Sequence, residues 1–107
     1  MKIAVIGMGQ VGSEVYWGLR NRQKHGIVAC PEGYDVALLR GCDAAVICTP
    51  FSAILAEATK TANARVRAIF SCTEDWVVGV RMKGLLTDMG STVEPHSGLA
   101  TAWVGEM

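Results

Sequence analysis

The chain has 107 residues, a length that fits a single domain. Half of the residues are hydrophobic and 19% are charged, a balance that argues against intrinsic disorder. The 10 basic and 10 acidic residues cancel, so the net charge gives no sign of a surface for nucleic acid or an anionic membrane.

Short apolar runs along the chain predict β-strands. In chain order they are Lys2–Ile6, Ile27–Cys30, Ala44–Cys48, Val66–Ser71 and the weaker Ser91–Glu94, which Pro95 closes. Continuous apolar runs of this length suit strands that are buried on both faces, as in a parallel sheet.

Helical patterns separate these runs. Apolar residues recur every three or four positions over Gln10–Lys24 (the stripe Val11, Val15, Leu19), Ser52–Ala62 (Ile54, Leu55, Ala58, Ala62) and Glu74–Met89. Thr73 is expected to cap the last of these helices. Strands alternating with helices predict an α/β fold with a parallel sheet.

The link between the second and third predicted strands is unusually short. It runs from Pro31 to Asp43 and barely accommodates the roughly 10–12 residues that a crossover needs. Within it, Tyr34–Arg40 has room for under two turns of helix. We therefore expect about five strands in a doubly wound parallel sheet with helices on both faces, instead of the roughly six strands of a full dinucleotide-binding fold.

The first predicted strand is followed by a glycine motif. Residues 7–12 read G-M-G-Q-V-G, and they open the first predicted helix, which is the context that the G-x-G-x-x-G motif requires. Gly7 permits the tight turn, Gly9 lets a pyrophosphate approach the backbone, and Gly12 lets the helix pack closely on the strand. The N–H groups at the start of the helix then receive the anion. The pattern predicts a minimal Rossmann-like nucleotide-binding domain over residues 1–97, although a tight turn without a ligand is the alternative.

An acidic residue about 20 positions beyond the motif would bind the ribose hydroxyls of a dinucleotide. Glu32 occupies that zone, and it can equally be a solvated loop carboxylate. No Arg or Lys lies within residues 28–39 to meet a 2′-phosphate. The cofactor predicted on this basis is NAD, with NADP possible.

Thr49 and Pro50 end the third predicted strand, at the sheet edge where doubly wound folds bind ligands. We expect the Thr49 backbone to contact the cofactor. The alternative is that both residues only turn the chain and that Ser52 caps the next helix. Thr73 follows the fourth strand and faces the same crevice.

The cysteines and the N-terminus indicate a reducing compartment. The four cysteines, at positions 30, 42, 48 and 72, match neither a C-x-x-C pair nor a zinc-ligand spacing. The apolar run before Gly7 is shorter than the apolar stretch of a signal peptide, and no run approaches the roughly 20 residues of a membrane helix. We expect a cytoplasmic protein with reduced thiols, no metal site and no membrane partner.

Three segments resemble the cofactor domain of saccharopine-dehydrogenase-like oxidoreductases: DAAVICTPF at 43–51, CTED at 72–75 and SGLATAWVG at 97–105. The resemblance implies an NAD(P)-binding domain of an amino-acid-linked dehydrogenase. The residues that it places along the pyrophosphate and the rest of the cofactor are Gly7, Met8, Gly9, Gln10, Val11, Thr49, Pro50 and Thr73.

This chain departs from the family in two ways. Thr101 and Ala102 stand where Pro and Gly are usual, and the family's substrate domain would follow residues 98–100, whereas this chain ends at Met107. A dinucleotide-binding module that is not a complete dehydrogenase is the favoured interpretation. Its rivals are an oligomeric oxidoreductase acting on an amino or keto acid at a subunit interface, and a ligand-free relic fold that works through protein contacts.

Catalytic candidates are few, and an interface candidate lies near the C-terminus. His96 follows the last predicted strand near the carboxyl edge of the sheet, although a lone loop histidine is more often a surface residue. Trp103 lies in the 98–107 segment, which is predicted to be helical. Exposed apolar side chains often mark an interface, so we expect a homodimer that buries Trp103.

Overall fold

The computed structural model describes residues 2–21, 26–71 and 93–96. They form one parallel sheet of five strands in the order β2-β1-β3-β4-β5. The strands are β1 (Lys2–Ile6), β2 (Gly26–Cys30), β3 (Ala44–Ile47), β4 (Arg67–Ser71) and β5 (Val93–His96). Because β2 lies on one side of β1 and β3 on the other, the strand order reverses at β1. This confirms the predicted doubly wound α/β sheet.

Within the described residues, two helices pack on the sheet, and two shorter 3₁₀ helices lie in the connections between its strands. Helix α1 spans Gln10–Asn21 and α2 spans Ile54–Asn63, while the 3₁₀ helices cover Val36–Leu39 and Phe51–Ala53. None of the helices in the described ranges is long and apolar enough to cross a membrane.

The core has two layers because alternate strand residues point to opposite faces of the sheet. On one face, Ile3, Val5 and Val46 pack with Val15 and Leu19 of α1. The other face is larger and contacts α2 and the first 3₁₀ helix; its buried residues include Ala4, Ile6, Ala45, Ile47, Ala68, Phe70, Leu39, Ile54 and Ala58. Helices therefore cover both faces, as predicted.

The short link between β2 and β3 contains a 3₁₀ helix of four residues, where a regular crossover has an α-helix. Its 3₁₀ helix begins after Asp35, whose carboxylate accepts a hydrogen bond of 2.9 Å from the Ala37 N–H. Leu39, at the other end of this helix, is fully buried in the core layer on the face of the sheet that contacts α2. One buried leucine and a capped turn thus replace the amphipathic helix of a longer connection.

Several predicted boundaries were wrong. The fifth strand includes Pro95 and His96, since Pro95 aligns with Phe70 at the edge of the described sheet, where a missing N–H is tolerated. Ser52 does not cap α2: the N-cap position is Ala53, without a side-chain hydrogen bond. The predicted stripe of α1 holds at Val15 and Leu19, but Val11, in the first turn of the helix, is 42% exposed.

Other predictions fall on residues outside the described ranges. They are the end of the first helix at 22–25, the helix at 74–89 with its cap Thr73, and the 98–107 segment with Trp103. The domain boundary after residue 97 and the cytoplasmic location also remain predictions.

Candidate functional site

A cleft of about 760 Å³ lies at the carboxyl ends of β1, β2 and β3. In doubly wound sheets, ligands bind at this edge, next to the point where the strand order reverses. The residues that line it are Ile6, Gly7, Met8, Gly9, Cys30, Pro31, Glu32, Gly33, Tyr34, Cys48, Thr49, Pro50, Ala53, Glu57 and Lys60. Six of the ten residues predicted to bind a cofactor are among them: Gly7, Met8, Gly9, Glu32, Thr49 and Pro50.

The glycine motif begins with a tight turn at the base of the cleft. Gly7 has a φ of +89°, a conformation that favours glycine, and its N–H donates a 2.9 Å hydrogen bond to the Cys30 carbonyl. A Cβ on Gly12 would overlap the Gly7 carbonyl oxygen, so α1 approaches the turn more closely than any side chain allows. A Cβ on Gly9, in contrast, would meet nothing within 4 Å. Gly7 and Gly12 shape the loop, and Gly9 leaves space in front of it.

The first turn of α1 presents backbone donors at the motif. The Ser13 N–H donates 2.9 Å to the Gly9 carbonyl, and the Ser13 hydroxyl donates 3.2 Å to the Met8 carbonyl. The N–H groups of Gln10, Val11 and Gly12 come before the first intrahelical hydrogen bond and have no carbonyl partner within the helix. The side chains of Gln10 and Val11 are exposed to solvent. The main-chain N–H groups of these two residues can bind an anion at the start of the helix.

Thr49 supplies a buried hydroxyl in the wall of the cleft beside the Gly7 turn, where its Cγ2 would lie 3.1 Å from a Cβ added to Gly7. Its Oγ1 is buried and has no hydrogen-bond partner in the part of the chain that the structure describes. The chain reaches this point from β3 through Cys48, whose N–H donates 2.8 Å to the Ile6 carbonyl. An unpartnered buried hydroxyl costs about 1–3 kcal/mol, so a polar ligand atom at this wall would recover that cost.

The two cysteines of the cleft are neutral thiols. Burial raises the pKa of Cys48 to about 12. Burial, with smaller contributions from Cys42 and Glu57, raises the pKa of Cys30 to about 11. Because the thiolate is the nucleophile, neither residue is activated for covalent chemistry near neutral pH.

The three acids of the link after β2 have different surroundings, and Asp43 Oδ2 accepts a hydrogen bond of 2.8 Å from the Lys2 N–H. Asp35 is engaged as the cap of the 3₁₀ helix. Glu32 is exposed, lines the cleft and accepts no hydrogen bond from any described residue. Glu32 is therefore the acid of this link that is free to meet a ligand.

Among the cleft residues that sequence reasoning missed are three that contact one another through polar side chains, which we call the Glu57 cluster: Tyr34, Glu57 and Lys60. The Tyr34 hydroxyl donates a 2.9 Å hydrogen bond to Glu57 Oε2, and Lys60 Nζ lies 3.1 Å from Glu57 Oε1. Lys60 Nζ also stands 5.1 Å from the centre of the Tyr34 ring. The spacing of Glu57 and Lys60 on one helix signals an ion pair, but the contact with Tyr34 joins residues 23 positions apart and has no local signal.

His96 lies away from this cleft. It is the last residue of β5 and aligns with Ser71, so it is at the carboxyl edge of the sheet. Two strands, β3 and β4, separate β5 from β1. At roughly 4.8 Å per strand, this places its backbone on the order of 14 Å from the glycine motif.

Comparisons with known proteins support the fold. No protein-family model matches the chain, and no curated protein matches it. Among solved structures, it is similar to biliverdin reductase from Synechocystis sp. PCC 6803 in complex with biliverdin and NADP⁺, with 14% identity and a TM-score of 0.64 over 89% of this chain. It is also similar to UDP-N-acetylglucosamine 3-dehydrogenase from Acidithiobacillus ferrooxidans, with 22% identity and a TM-score of 0.60 over 84% of this chain.

Both neighbours are oxidoreductases, and at these identities the likeness shows a Rossmann-like fold alone. The chain spans 37% of the first neighbour and 35% of the second, little more than a third of each. Neither neighbour is a saccharopine dehydrogenase, so that resemblance remains a prediction.

Proposed function

We propose that this chain is a dinucleotide-binding module that holds NAD in the cleft at the carboxyl ends of β1, β2 and β3. The observation that carries the proposal is the glycine motif at the strand-order reversal, with open space at Gly9 and free N–H groups in the first turn of α1. The fold neighbour biliverdin reductase is recorded with NADP⁺, which supports a ligand of this class.

The described residues fit such a ligand. The pyrophosphate would lie over Gly9 and Met8, against the N–H groups of Gln10 to Gly12, where the helix dipole favours an anion. Thr49 Oγ1 would gain the hydrogen bond that it lacks, with Pro50 beside it. Glu32 would accept from the ribose hydroxyls.

Bound NAD would supply the hydride-transfer chemistry, and the chain's own residues would bind and orient it. Among the described residues, the His96 backbone lies beyond β3 and β4 from the glycine motif and both cleft thiols are neutral, so neither the histidine nor a thiol supplies a catalytic group there. We therefore propose a cofactor domain of an oxidoreductase, not a complete dehydrogenase. The segments 72–75 and 97–105, with Thr73 beside the cofactor, make an amino-acid-linked dehydrogenase the proposed family.

We also propose that the module is a homodimer. Trp17 is 55% exposed on α1, and Trp103 belongs to the 98–107 segment. Large exposed aromatic side chains are typical of interfaces. Size-exclusion chromatography with light scattering should give twice the chain mass at micromolar concentration, and a monomer would contradict the dimer.

Calorimetric titration of the reduced protein with NAD⁺, NADH, NADP⁺, NADPH and ADP-ribose tests the binding proposal. We expect micromolar binding, and its loss in Gly9→Asp, since a carboxylate would occupy the space in front of the loop. Gly26→Asp is the matched control: Gly26 is exposed at the amino end of β2, away from the cleft. No binding at millimolar ligand would reject the proposal.

A further inference from the structure

The Glu57 cluster joins two walls of the cleft. Tyr34 belongs to the link after β2, while Glu57 and Lys60 are one turn apart on α2. The Glu57 carboxylate contacts both partners, through 2.9 Å to the Tyr34 hydroxyl and 3.1 Å to Lys60 Nζ. Its side chain is only 14% exposed, against 45% for that of Lys60. Glu57 is thus the centre of the cluster, and it holds Lys60 against the Tyr34 ring.

The cluster determines the charge of this side of the cleft. Within the described ranges, Lys60 is the single cation among the lining residues, and Glu32 and Glu57 are the acids. Because Glu57 neutralises Lys60, the side chain of Glu32 leaves the wall with a net negative charge. A ribose with free hydroxyls can donate to such a wall, whereas a 2′-phosphate would be repelled by it.

We propose that Glu57 is a specificity-determining residue that excludes a 2′-phosphate by holding Lys60 in a neutral pair on the Tyr34 ring. This inference rests on the proposed function and adds to it the discrimination between NAD and NADP. The Tyr34 hydroxyl is uncharged and already donates its hydrogen bond to Glu57, so it cannot donate one to a 2′-phosphate. Lys60 is a latent phosphate ligand, since its ammonium already faces the cleft and needs only to lose its carboxylate partner.

The experiment compares the ratio Kd(NADP⁺)/Kd(NAD⁺) in variants at low ionic strength, where charge effects are least screened. Glu57→Gln keeps an oxygen that can accept from Tyr34 and removes the negative charge. We expect the ratio to fall at least about tenfold, the value of one hydrogen bond to a charged group. Lys60→Met keeps the apolar stem, leaves the Glu57 charge uncompensated and should raise the ratio.

Two further variants complete the design. The double variant Glu57→Gln with Lys60→Met should lose the gain in NADP⁺ affinity, because the released cation is gone. Glu14→Gln is the matched control, the same change at an exposed position of α1 that does not line the cleft, and it should leave the ratio unchanged. Lys60 is half-exposed, so Lys60→Met should fold even where Glu57→Gln does not, and an unchanged ratio in Lys60→Met overturns the role of the Glu57–Lys60 pair.

The outcomes separate this inference from the proposed function. Binding of NAD⁺ with the same ratio in the unmodified protein, Glu57→Gln and Lys60→Met overturns the role of Glu57 and leaves the cofactor module intact. A preference of the unmodified protein for NADP⁺ overturns it too. Binding of neither nucleotide by the unmodified protein rejects the proposed function, and the inference falls with it.

Discussion

Gly12 lies so close to Gly7 that a Cβ added to Gly12 would overlap the Gly7 carbonyl oxygen. This contact sets the distance between α1 and the end of β1. The neighbouring Gly9, in contrast, faces open space. The same motif therefore holds two glycines that the fold requires, Gly7 and Gly12, and one that it does not require, Gly9.

This difference predicts that glycine-to-alanine substitutions at Gly12 and Gly9 change the free energy of unfolding by different amounts. Gly12→Ala should lower the free energy of unfolding by about 3 kcal/mol or more, because backbone must move to admit the methyl group. Gly9→Ala should change it by less than about 1 kcal/mol, because nothing lies within 4 Å of the added atom. Urea denaturation followed by circular dichroism measures both. Equal losses in the two variants would show that the overlap at Gly12 is relieved at no cost.

Thr49 gives a second test, in which stability and binding change in opposite directions. Thr49→Val keeps the shape of the side chain and removes the buried, unpartnered Oγ1. We expect the free energy of unfolding to stay constant or rise by about 1 kcal/mol, since a desolvated hydroxyl is lost. NAD⁺ affinity should fall about tenfold, as for the loss of one hydrogen bond to the ligand.

Thr49→Ser is the control for that experiment because it retains the hydroxyl. Its NAD⁺ affinity should remain near that of the unmodified protein, with a loss of stability from the missing methyl group. A clear loss of stability in Thr49→Val would mean that Oγ1 has a partner in the folded protein, and the argument for a ligand at this wall would then fail.

Much of the fold was predictable from the sequence because its signals are local. The strand Lys2–Ile6 has its predicted bounds, and the glycine motif connects it to α1 as expected. The errors arose where tertiary context decides. Pro95 ends a strand in isolation, yet the position of β5 at the edge of the described sheet tolerates it, and Val11 fits the apolar period of α1 but is 42% exposed.

The sequence predicted the loops of the cleft that follow the strands, but it did not predict the Glu57 cluster. The glycine motif and Thr49 follow directly from strand ends, and in a parallel sheet the carboxyl ends of neighbouring strands meet at one edge. The contact between Tyr34 and Glu57 depends on how the shortened link folds against α2. No periodicity or motif carries that information.

The buried thiol of Cys48 predicts how stability depends on pH. In the folded protein burial raises its pKa from the ordinary value of 9.0 to about 12. Between these values the unfolded chain releases a proton that the folded protein retains, so the free energy of unfolding should decrease as pH rises above 9. Below pH 9 both states hold the proton, and Cys48 contributes no pH dependence.

Cys48→Ala should make the decrease above pH 9 less steep, as measured by urea denaturation at pH 8, 9 and 10 under reducing conditions. Cys30 adds to the decrease in both proteins, because burial raises its pKa to about 11. Identical slopes for the variant and the unmodified protein would contradict the burial of the Cys48 thiol.

Two acids of the link after β2, Asp35 and Glu32, predict a separation of folding from binding. Asp35→Ala removes the carboxylate that caps the 3₁₀ helix, and we expect a loss of about 1 kcal/mol in the free energy of unfolding with NAD⁺ affinity largely retained. Glu32→Ala removes an exposed carboxylate with no described partner, so stability should change by less than about 0.5 kcal/mol while NAD⁺ affinity falls about tenfold. Thermal unfolding and calorimetry on the same samples measure both quantities. An unchanged affinity in Glu32→Ala would make this acid a solvated loop carboxylate and would leave the ribose hydroxyls to other residues of the cleft.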